Sequence, residues 1–229
     1  MKKIAVIPAR SGSKGLADKN IIAIYGKPLM AYTIEAALKS NIFDTVTVST
    51  DSLKYKAIAE QYGATVYMRS KELASDTATT YAVLEDLLHR LPYGIDYFAL
   101  LQPTSPMRTE QHIYEACKLF EKNRQDFDFL VSVKEAEFPS SLVRPINGDK
   151  SLKYFDTDFS TYRRQAYKEY SPNGAIYIAK PDAYLKQKHF FGAKSLAFIM
   201  NKFDSVDIDD ELDYELACIL MKNRSNQDK

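Results

Sequence analysis

The chain has 229 residues, 45% of them apolar and 27% charged, with a formal net charge of +1. That composition excludes disorder, collagen and coiled coil, and a charge this balanced gives no global field for nucleic acid or anionic membrane. Its 8 glycines and 9 prolines are too few for a linker-rich chain. The apolar run Ile4–Ala9 is six residues and includes a proline. That is too short for a membrane span or a signal-peptide core, so the expected compartment is the cytoplasm. Cys117 and Cys218 lie far apart in helical patterns without a CxxC spacing, and are expected to be two buried, reduced thiols.

In chain order, short β-branched runs alternate with helical patterns. KIAVIPA reads as a strand and Leu29–Ser40 as a helix; TVTVST is a strand ending at Asp51. Ser52–Tyr62 reads as a helix stopped by Gly63, and Ala64–Met68 as a strand. Thr79–Leu91 carries apolar residues at 83, 84, 87, 88 and 91, the spacing of a helical core face. Tyr97–Leu101 is the all-apolar strand expected in the middle of a parallel sheet. Thr109–Asn123 is a further helix and Phe129–Val133 a further strand. The alternation predicts a three-layer α/β fold with a mainly parallel sheet, one domain over residues 1–229.

The pattern breaks near Glu135. Residues 136–170 hold Phe138, Tyr154, Phe155, Phe159, Tyr162, Tyr167 and Tyr170 among prolines and charges, with no element of useful length. Such an arm needs something to pack on, either its own domain or a second subunit. Regular structure resumes with a strand Gly174–Ala179, a helix from Pro181, a strand Ser195–Met200 and a last helix Asp210–Lys222.

Three segments carry candidate chemistry. The first strand is followed by Ala9-Arg10-Ser11-Gly12-Ser13-Lys14-Gly15 and then Lys19-Asn20. It is neither a Walker loop nor GxGxxG. From Arg10 to Lys27 it holds four basic residues and one acid, a composition suited to polyphosphate as well as to a solvated loop. At the other end, Asp204–Glu215 holds seven acids and no base. Asp207 and Asp209 are spaced i, i+2, which in an extended segment puts both carboxylates on one face about 7 Å apart. Such a pair suits Mg²⁺, which takes one or two carboxylates and completes its shell with water and phosphate. Helix capping explains Asp210, Glu211 and Asp213 equally well. Between the two lies Leu100–Arg108 (LLQPTSPMR), stiffened by two prolines and offering Gln102. Asp76, Thr77 or Thr79 would cap a helix, and Pro172-Asn173-Gly174 reads as a turn. The three histidines have no metal spacing, and GxSxG is absent.

Six motifs, IPARSGSKG with Lys19-Asn20, VSTD ending at Asp51, ELASDTA, LLQPTSPMRT, SPNGAIYI and DSVDIDDELD, follow one another along nearly the whole chain. In this set the chain resembles the cytidylyltransferases that activate nine-carbon 2-keto-3-deoxy sugar acids, the CMP-sialic acid synthetase type. The enzymes for the eight-carbon acid Kdo have a different first loop without the Lys-Asn pair, and the hexose-phosphate nucleotidyltransferases carry a GTR-type loop. The resemblance implies CTP as donor, Mg²⁺ (or Mn²⁺) as cofactor, and attack of the anomeric hydroxyl on the α-phosphorus. Arg10, Lys14 and Lys19 match the triphosphate loop, with Lys19 acting on the α-phosphate. Asn20 matches a ribose and phosphate contact. Arg69, Ala78 and Thr80 fall where cytosine is read. Asp207 and Asp209 match the metal-binding acids. Gln102, Arg163 and Tyr177 match positions lining the sugar-acid pocket, and Phe190-Phe191 matches an aromatic pair supplied by the partner subunit. Residues 136–170 then correspond to the dimerisation arm of a homodimer with shared active sites. A family lysine expected near Pro139 meets Ser140 or Ser141 instead, which leaves a less cationic pocket and gives some weight to legionaminic acid. N-acetylneuraminic acid remains the first expectation, ahead of legionaminic or pseudaminic acid. The contrasting expectation is a nucleotide-binding module without catalysis, against which Lys19 and the Asp207/Asp209 pair stand.

Overall fold

The computed structural model describes residues 1–12, 15–91, 94–156, 158, 160 and 168–227. Lys14, Arg163 and the aromatics Phe159, Tyr162 and Tyr167 lie outside the described residues.

The chain runs through β1 (Lys3–Pro8), a short hairpin of β2 (Ala23–Ile24) and β3 (Lys27–Pro28), α1 (Leu29–Lys39), β4 (Thr45–Thr50), α2 (Leu53–Gln61) and β5 (Thr65–Met68). It continues with α3 (Thr80–Arg90), β6 (Tyr97–Leu100), α4 (Glu110–Asn123), β7 (Phe129–Glu135), β8 (Tyr170–Ala179), α5 (Pro181–Gln187), β9 (Ser195–Ile199) and α6 (Glu211–Gln227). Seven strands form one sheet in the order β5-β4-β1-β6-β8-β7-β9. All neighbouring pairs are parallel except those of β8, which is antiparallel to both β6 and β7.

The sheet is covered on both faces. On one, Ile34 of α1, Tyr55 of α2 and Ile113, Ala116 and Phe120 of α4 pack on Ala5, Ile7, Ala99 and Ile178. On the other, Leu84 and Leu87 of α3 and Tyr184 of α5 pack on Ile4, Val6, Phe98 and Leu100. The alternate residues of β1 thus serve opposite layers, the period-two consequence of a strand buried on both sides. Three helices start where a hydroxyl can accept an orphan backbone N–H. Ser52 accepts from Tyr55, Thr79 from Ala82 and Thr109 from His112. Gly63, with φ +88°, ends α2 in the left-handed region that favours glycine.

Two expectations are corrected. The strand expected from Gly174 begins at Tyr170, because β7 runs on to Glu135 and pairs with it beyond an irregularity between Val131 and Val133. Asn173 is therefore a buried strand residue rather than part of an open turn. Its Oδ1 accepts from Ser132 Oγ at 2.6 Å and its Nδ2 donates to Ser205 Oγ at 2.9 Å. The last helix also runs five residues past Lys222, to Gln227. In the arm, the described residues form one short 3₁₀ turn, Ser140–Leu142, before β8. Phe138, Val143, Ile146, Leu152 and Tyr154 are all exposed there. Cys117 is buried and unpaired, and burial pushes its thiol up to about 12, as expected of an inert core thiol. Cys218 is half-buried and free. Among the described residues no helix is long and apolar enough to cross a membrane.

Candidate active site

The candidate site is at the carboxyl ends of β1, β4 and β6, where open α/β sheets bind ligands. Past Pro8 the chain stays tied to the sheet, since Ala9 N donates to Ser49 O at 2.9 Å. The loop is then pinned at both limbs. Ser11 donates to both oxygens of Asp51, from its backbone N at 2.9 Å and its Oγ at 2.6 Å. Asn20 is buried and donates from Nδ2 to Arg10 O at 2.9 Å. A Cβ on Gly15 would lie 2.6 Å from the carbonyl oxygen of Asp209, so the loop touches the acidic segment where only a glycine fits.

That contact brings the chain's two charge clusters together. Lys19 Nζ donates to Asp209 Oδ1 at 2.9 Å, and the lysine side chain is 15% exposed against 78% for the aspartate. Arg10 Nη1 donates to Asp76 Oδ1 at 2.7 Å and to Ala74 O at 3.3 Å. Arg69 is buried and its Nε has no hydrogen-bond partner. Burial lowers its basicity, the charge of Asp51 opposes this, and that of Arg10 adds to it. A cavity of about 520 Å³ is lined by Arg10, Lys19, Asn20, Arg69, Ala78, Thr80, Gln102 and Asp209. The structure thus gathers on one hollow eight residues taken from six separate stretches of sequence.

Asp207 sits beside this hollow rather than on its lining. Ile208 N donates to Thr104 O at 2.8 Å, which lays the acidic segment along the loop after β6. A Cβ on Gly174 would lie 2.8 Å from Asp207 Oδ2 and 3.6 Å from Gln102 Oε1. Burial holds the Asp207 carboxyl above the usual carboxylate range, with the charge of Asp209 adding to the shift. A hydrogen bond from Thr104 and the charge of Lys19 oppose it. Asp207 Oδ1 is buried without a donor. A buried acceptor left unpaired is expensive, and a hard cation is the partner that this oxygen, with the carboxylate of Asp209, is suited to take. Among the described residues no group of three or more His, Cys, Asp or Glu side chains could hold a metal. Two carboxylates with the remaining positions left to water and phosphate match the habit of Mg²⁺ or Mn²⁺ rather than of Zn²⁺ or Ca²⁺.

Tyr177 stands in β8 opposite Leu100, with its ring 5.0 Å from that of Phe190 and 6.5 Å from that of Phe191. The charge of Asp207 adds to the effect of burial in raising its phenol. Phe190 corrects an expectation. It is 6% exposed and packs in its own chain's core against Tyr184, Phe98 and Phe129, so it has no face to lend to a partner. Phe191 is 47% exposed and is the only one of the two that is free to reach outward.

Sequence reasoning missed three features. Asp76 carries Arg10 while Thr79 is the cap of α3. Asp51 anchors Ser11, where the motif VSTD had offered only the end of a strand. Arg108, in the quoted segment after β6, is wholly buried beneath the site. Its place two residues after Pro106, in the proline-stiffened loop that follows a buried strand, was the available signal. The helix role of the remaining acids is as expected: Asp213 N donates to Asp210 Oδ1 at 3.1 Å, and Asp213 Oδ2 accepts from Asp209 N at 2.9 Å.

An α/β sheet with a cationic loop after β1, facing Asp209 across one hollow with Asp207 beside it, is the architecture of a nucleotide-binding domain. The family described as Cytidylyltransferase matches residues 4–224, and the chain belongs to that family. It is 50% identical over 228 residues to an N-acylneuraminate cytidylyltransferase of Escherichia coli O18:K1:H7, covering 99% of this chain and 54% of that protein. It is 41% identical to an N-acylneuraminate cytidylyltransferase of Streptococcus agalactiae serotype V, covering 93% of this chain and 52% of that protein. The chain therefore spans about half the length of these relatives. It is 36% identical to a CMP-N,N'-diacetyllegionaminic acid synthase of Legionella pneumophila, with 97% of each chain covered. A CMP:2-keto-3-deoxy-manno-octonic acid synthetase complexed with CTP shares the fold, with a TM-score of 0.73 at 19% identity over 98% of this chain and 100% of that one.

Proposed function

We propose that the protein transfers the cytidylyl group of CTP to the anomeric hydroxyl of a nine-carbon 2-keto-3-deoxy sugar acid, N-acetylneuraminic acid in the first place. The hydroxyl oxygen bonds to the α-phosphorus, the bond from that phosphorus to the bridging oxygen of the β-phosphate breaks, and pyrophosphate leaves. The observation that carries this reading is the meeting of Lys19 with Asp209, 190 residues apart in sequence, on a hollow also lined by Arg10, Asn20 and Arg69. A displacement at phosphorus asks for orientation and charge neutralisation rather than covalent chemistry, and this wall supplies both.

In this reading Arg10 and Lys14 hold the triphosphate, and Asn20 meets the ribose and phosphate region. Lys19 turns from Asp209 towards the α-phosphate, where negative charge grows. The unpartnered Nε–H of Arg69 is a donor for a cytosine acceptor, and the backbone at Ala78 and Thr80 lines the base. Asp207 and Asp209 would hold Mg²⁺ or Mn²⁺. The metal, when bound, neutralises charge on the phosphate oxygens. Gln102, Tyr177 and Arg163 face the sugar acid, with Arg163 suited to pair its carboxylate in a bidentate manner.

Supporting a homodimer with shared sites, the described residues of the arm leave Ile146 67% and Phe138 56% exposed. Phe191 is the aromatic that remains for the partner's site. The dimer reading predicts that mixing an Arg163 variant with a Phe191 variant restores part of the lost activity; a monomeric mass at micromolar concentration contradicts it. The expected place of work is the cytoplasm.

The substrate order follows the identities: 50% to an N-acylneuraminate enzyme against 36% to a legionaminic acid one. Pyrophosphate release with CTP and N-acetylneuraminic, legionaminic or pseudaminic acid tests it. The expected result is a kcat/KM for N-acetylneuraminic acid at least tenfold above the others, about 1.4 kcal/mol in barrier. The reverse preference would overturn the order of substrates and leave cytidylyl transfer standing.

A further inference from the structure

Arg108 is the buried charge that the proposed reaction leaves without a task. It is 2% exposed, and no carboxylate of the described residues lies within salt-bridge distance of it. A desolvated guanidinium without an ion-pair partner is costly and persists only with good hydrogen bonds. Nη1 donates to Gln102 O and to Ala175 O, both at 2.9 Å, and Nη2 donates to Thr33 Oγ1.

The two carbonyls identify its work. β6 and β8 pair antiparallel through Leu100 and Tyr177, and the ladder stops there. Carried on by two residues, the same register sets Gln102 opposite Ala175. Instead of pairing with each other, the two strands turn a carbonyl each towards one guanidinium nitrogen. The opened end of the ladder is where Gly174 approaches both Asp207 and Gln102. The loop between Gln102 and Arg108 also holds the acidic segment, through Thr104 O and Ile208 N.

We propose that Arg108 is a positioning residue that wedges the ends of β6 and β8 apart and thereby sets Asp207 against Gln102. The inference rests on the reading of Asp207 as a metal ligand and Gln102 as a sugar-acid contact. Arg108 itself touches neither CTP nor metal in that reading.

The test compares Arg108→Met with Arg108→Lys by three readouts: Mn²⁺ affinity from electron paramagnetic resonance, CTP affinity without metal, and kcat/KM for the sugar acid. Methionine fills the space and donates nothing, so Mn²⁺ affinity is expected to fall about tenfold and kcat/KM about a hundredfold. An ammonium has three donors and can bridge the same two carbonyls, so Arg108→Lys is expected to recover both to within about fivefold. CTP affinity is expected to stay within about threefold in both, because Arg10, Lys19, Asn20 and Arg69 do not depend on this wedge. Unchanged Mn²⁺ affinity in Arg108→Met overturns the proposal. So does a parallel loss of CTP affinity, which marks a general structural role, and so does a lysine variant as damaged as the methionine one. Should Arg108→Met fail to fold, Thr33→Val removes the acceptor at Nη2 together with the 3.4 Å hydrogen bond that Thr33 Oγ1 donates to Gln102 O, so it loosens the same wedge. It is expected to weaken Mn²⁺ binding about threefold at constant CTP affinity, and no change there overturns the proposal. If the wild-type protein binds Mn²⁺ yet releases no pyrophosphate with any acid, the functional reading fails, and the Mn²⁺ comparison still decides the role of Arg108.

Discussion

On the wall of the hollow built by the loop after β1, the cations are already attended by carboxylates. Arg10 meets Asp76 at 2.7 Å, Lys19 meets Asp209 at 2.9 Å, and Arg69 lies in the field of Asp51. Beside the hollow, in the segment before α6, Asp207 keeps a buried oxygen with no donor. The first region holds its two ion pairs and leaves only Arg69 Nε without a partner. The second holds a buried acceptor without a donor, which a cation would satisfy in the proposed reading. In the proposed reading an arriving phosphate chain displaces Asp76 and Asp209 from their cations, while a metal would take an oxygen of Asp207 that no donor holds.

The sharpest way to break this contrast is at the acids. Asp209→Ala is expected to lower turnover by about a thousandfold or more, as removal of a catalytic metal's ligand does, and EDTA is expected to do the same to the wild type. Full activity of the variant in EDTA contradicts the metal reading. Next in size is Lys19→Ala. A cation acting on charge that develops in the transition state is worth about 3–4 kcal/mol, so kcat falls more than CTP affinity. A collapse of CTP binding with unchanged turnover of the bound complex makes Lys19 a binding residue only.

Asp207→Asn removes a buried charge that the fields of Lys19 and Arg108 offset only in part in the metal-free protein. It is expected to stabilise the fold in EDTA by about 1 kcal/mol while abolishing turnover, and a lowered Tm would contradict the unpaired state of Oδ1. The pH dependence has the matching sign. The carboxyl of Asp207 is raised in the folded state, so that state holds the proton more tightly than the unfolded chain does. Metal-free stability is then gained as pH falls through the raised value, and Mn²⁺ affinity is lost over the same window, which lies above the ordinary carboxylate range. Mn²⁺ titrations at a series of pH values check this; a loss confined to the ordinary aspartate range counts against it. Smallest is Asp76→Asn. The Arg10–Asp76 pair is partly exposed, so freeing the guanidinium is worth at most about 1 kcal/mol, read as up to about a fivefold gain in triphosphate affinity with cytidine affinity unchanged.

Much of the sheet was legible because strands buried on both faces read as apolar runs: Ile4–Ile7 and Tyr97–Leu100 have nothing else to be. The helices were legible from their apolar spacing and their hydroxyl caps. The reversal of β8 was not, since nothing in its local sequence distinguishes parallel from antiparallel pairing. The cationic loop and the acid pair were visible as charge segregation, but their meeting depends on a close approach at Gly15 that spacing cannot reveal. The burial of Phe190 was hidden for a related reason. An aromatic pair looks alike in sequence whether it is packed in the core or turned outward, and here only Phe191 is exposed. Arg108 looked like an ordinary polar residue ahead of a helix, and only the two carbonyls beneath it give it a role.

The measurement that bears most directly on the central claim follows the label of CTP with N-acetylneuraminic acid and Mg²⁺. With CTP labelled at the α-phosphate, the account predicts that the label passes into a conjugate of the sugar acid in equal amount to the pyrophosphate released, and that neither forms without the acid. Label retained in free CMP, or pyrophosphate released at the same rate when the acid is omitted, would contradict it.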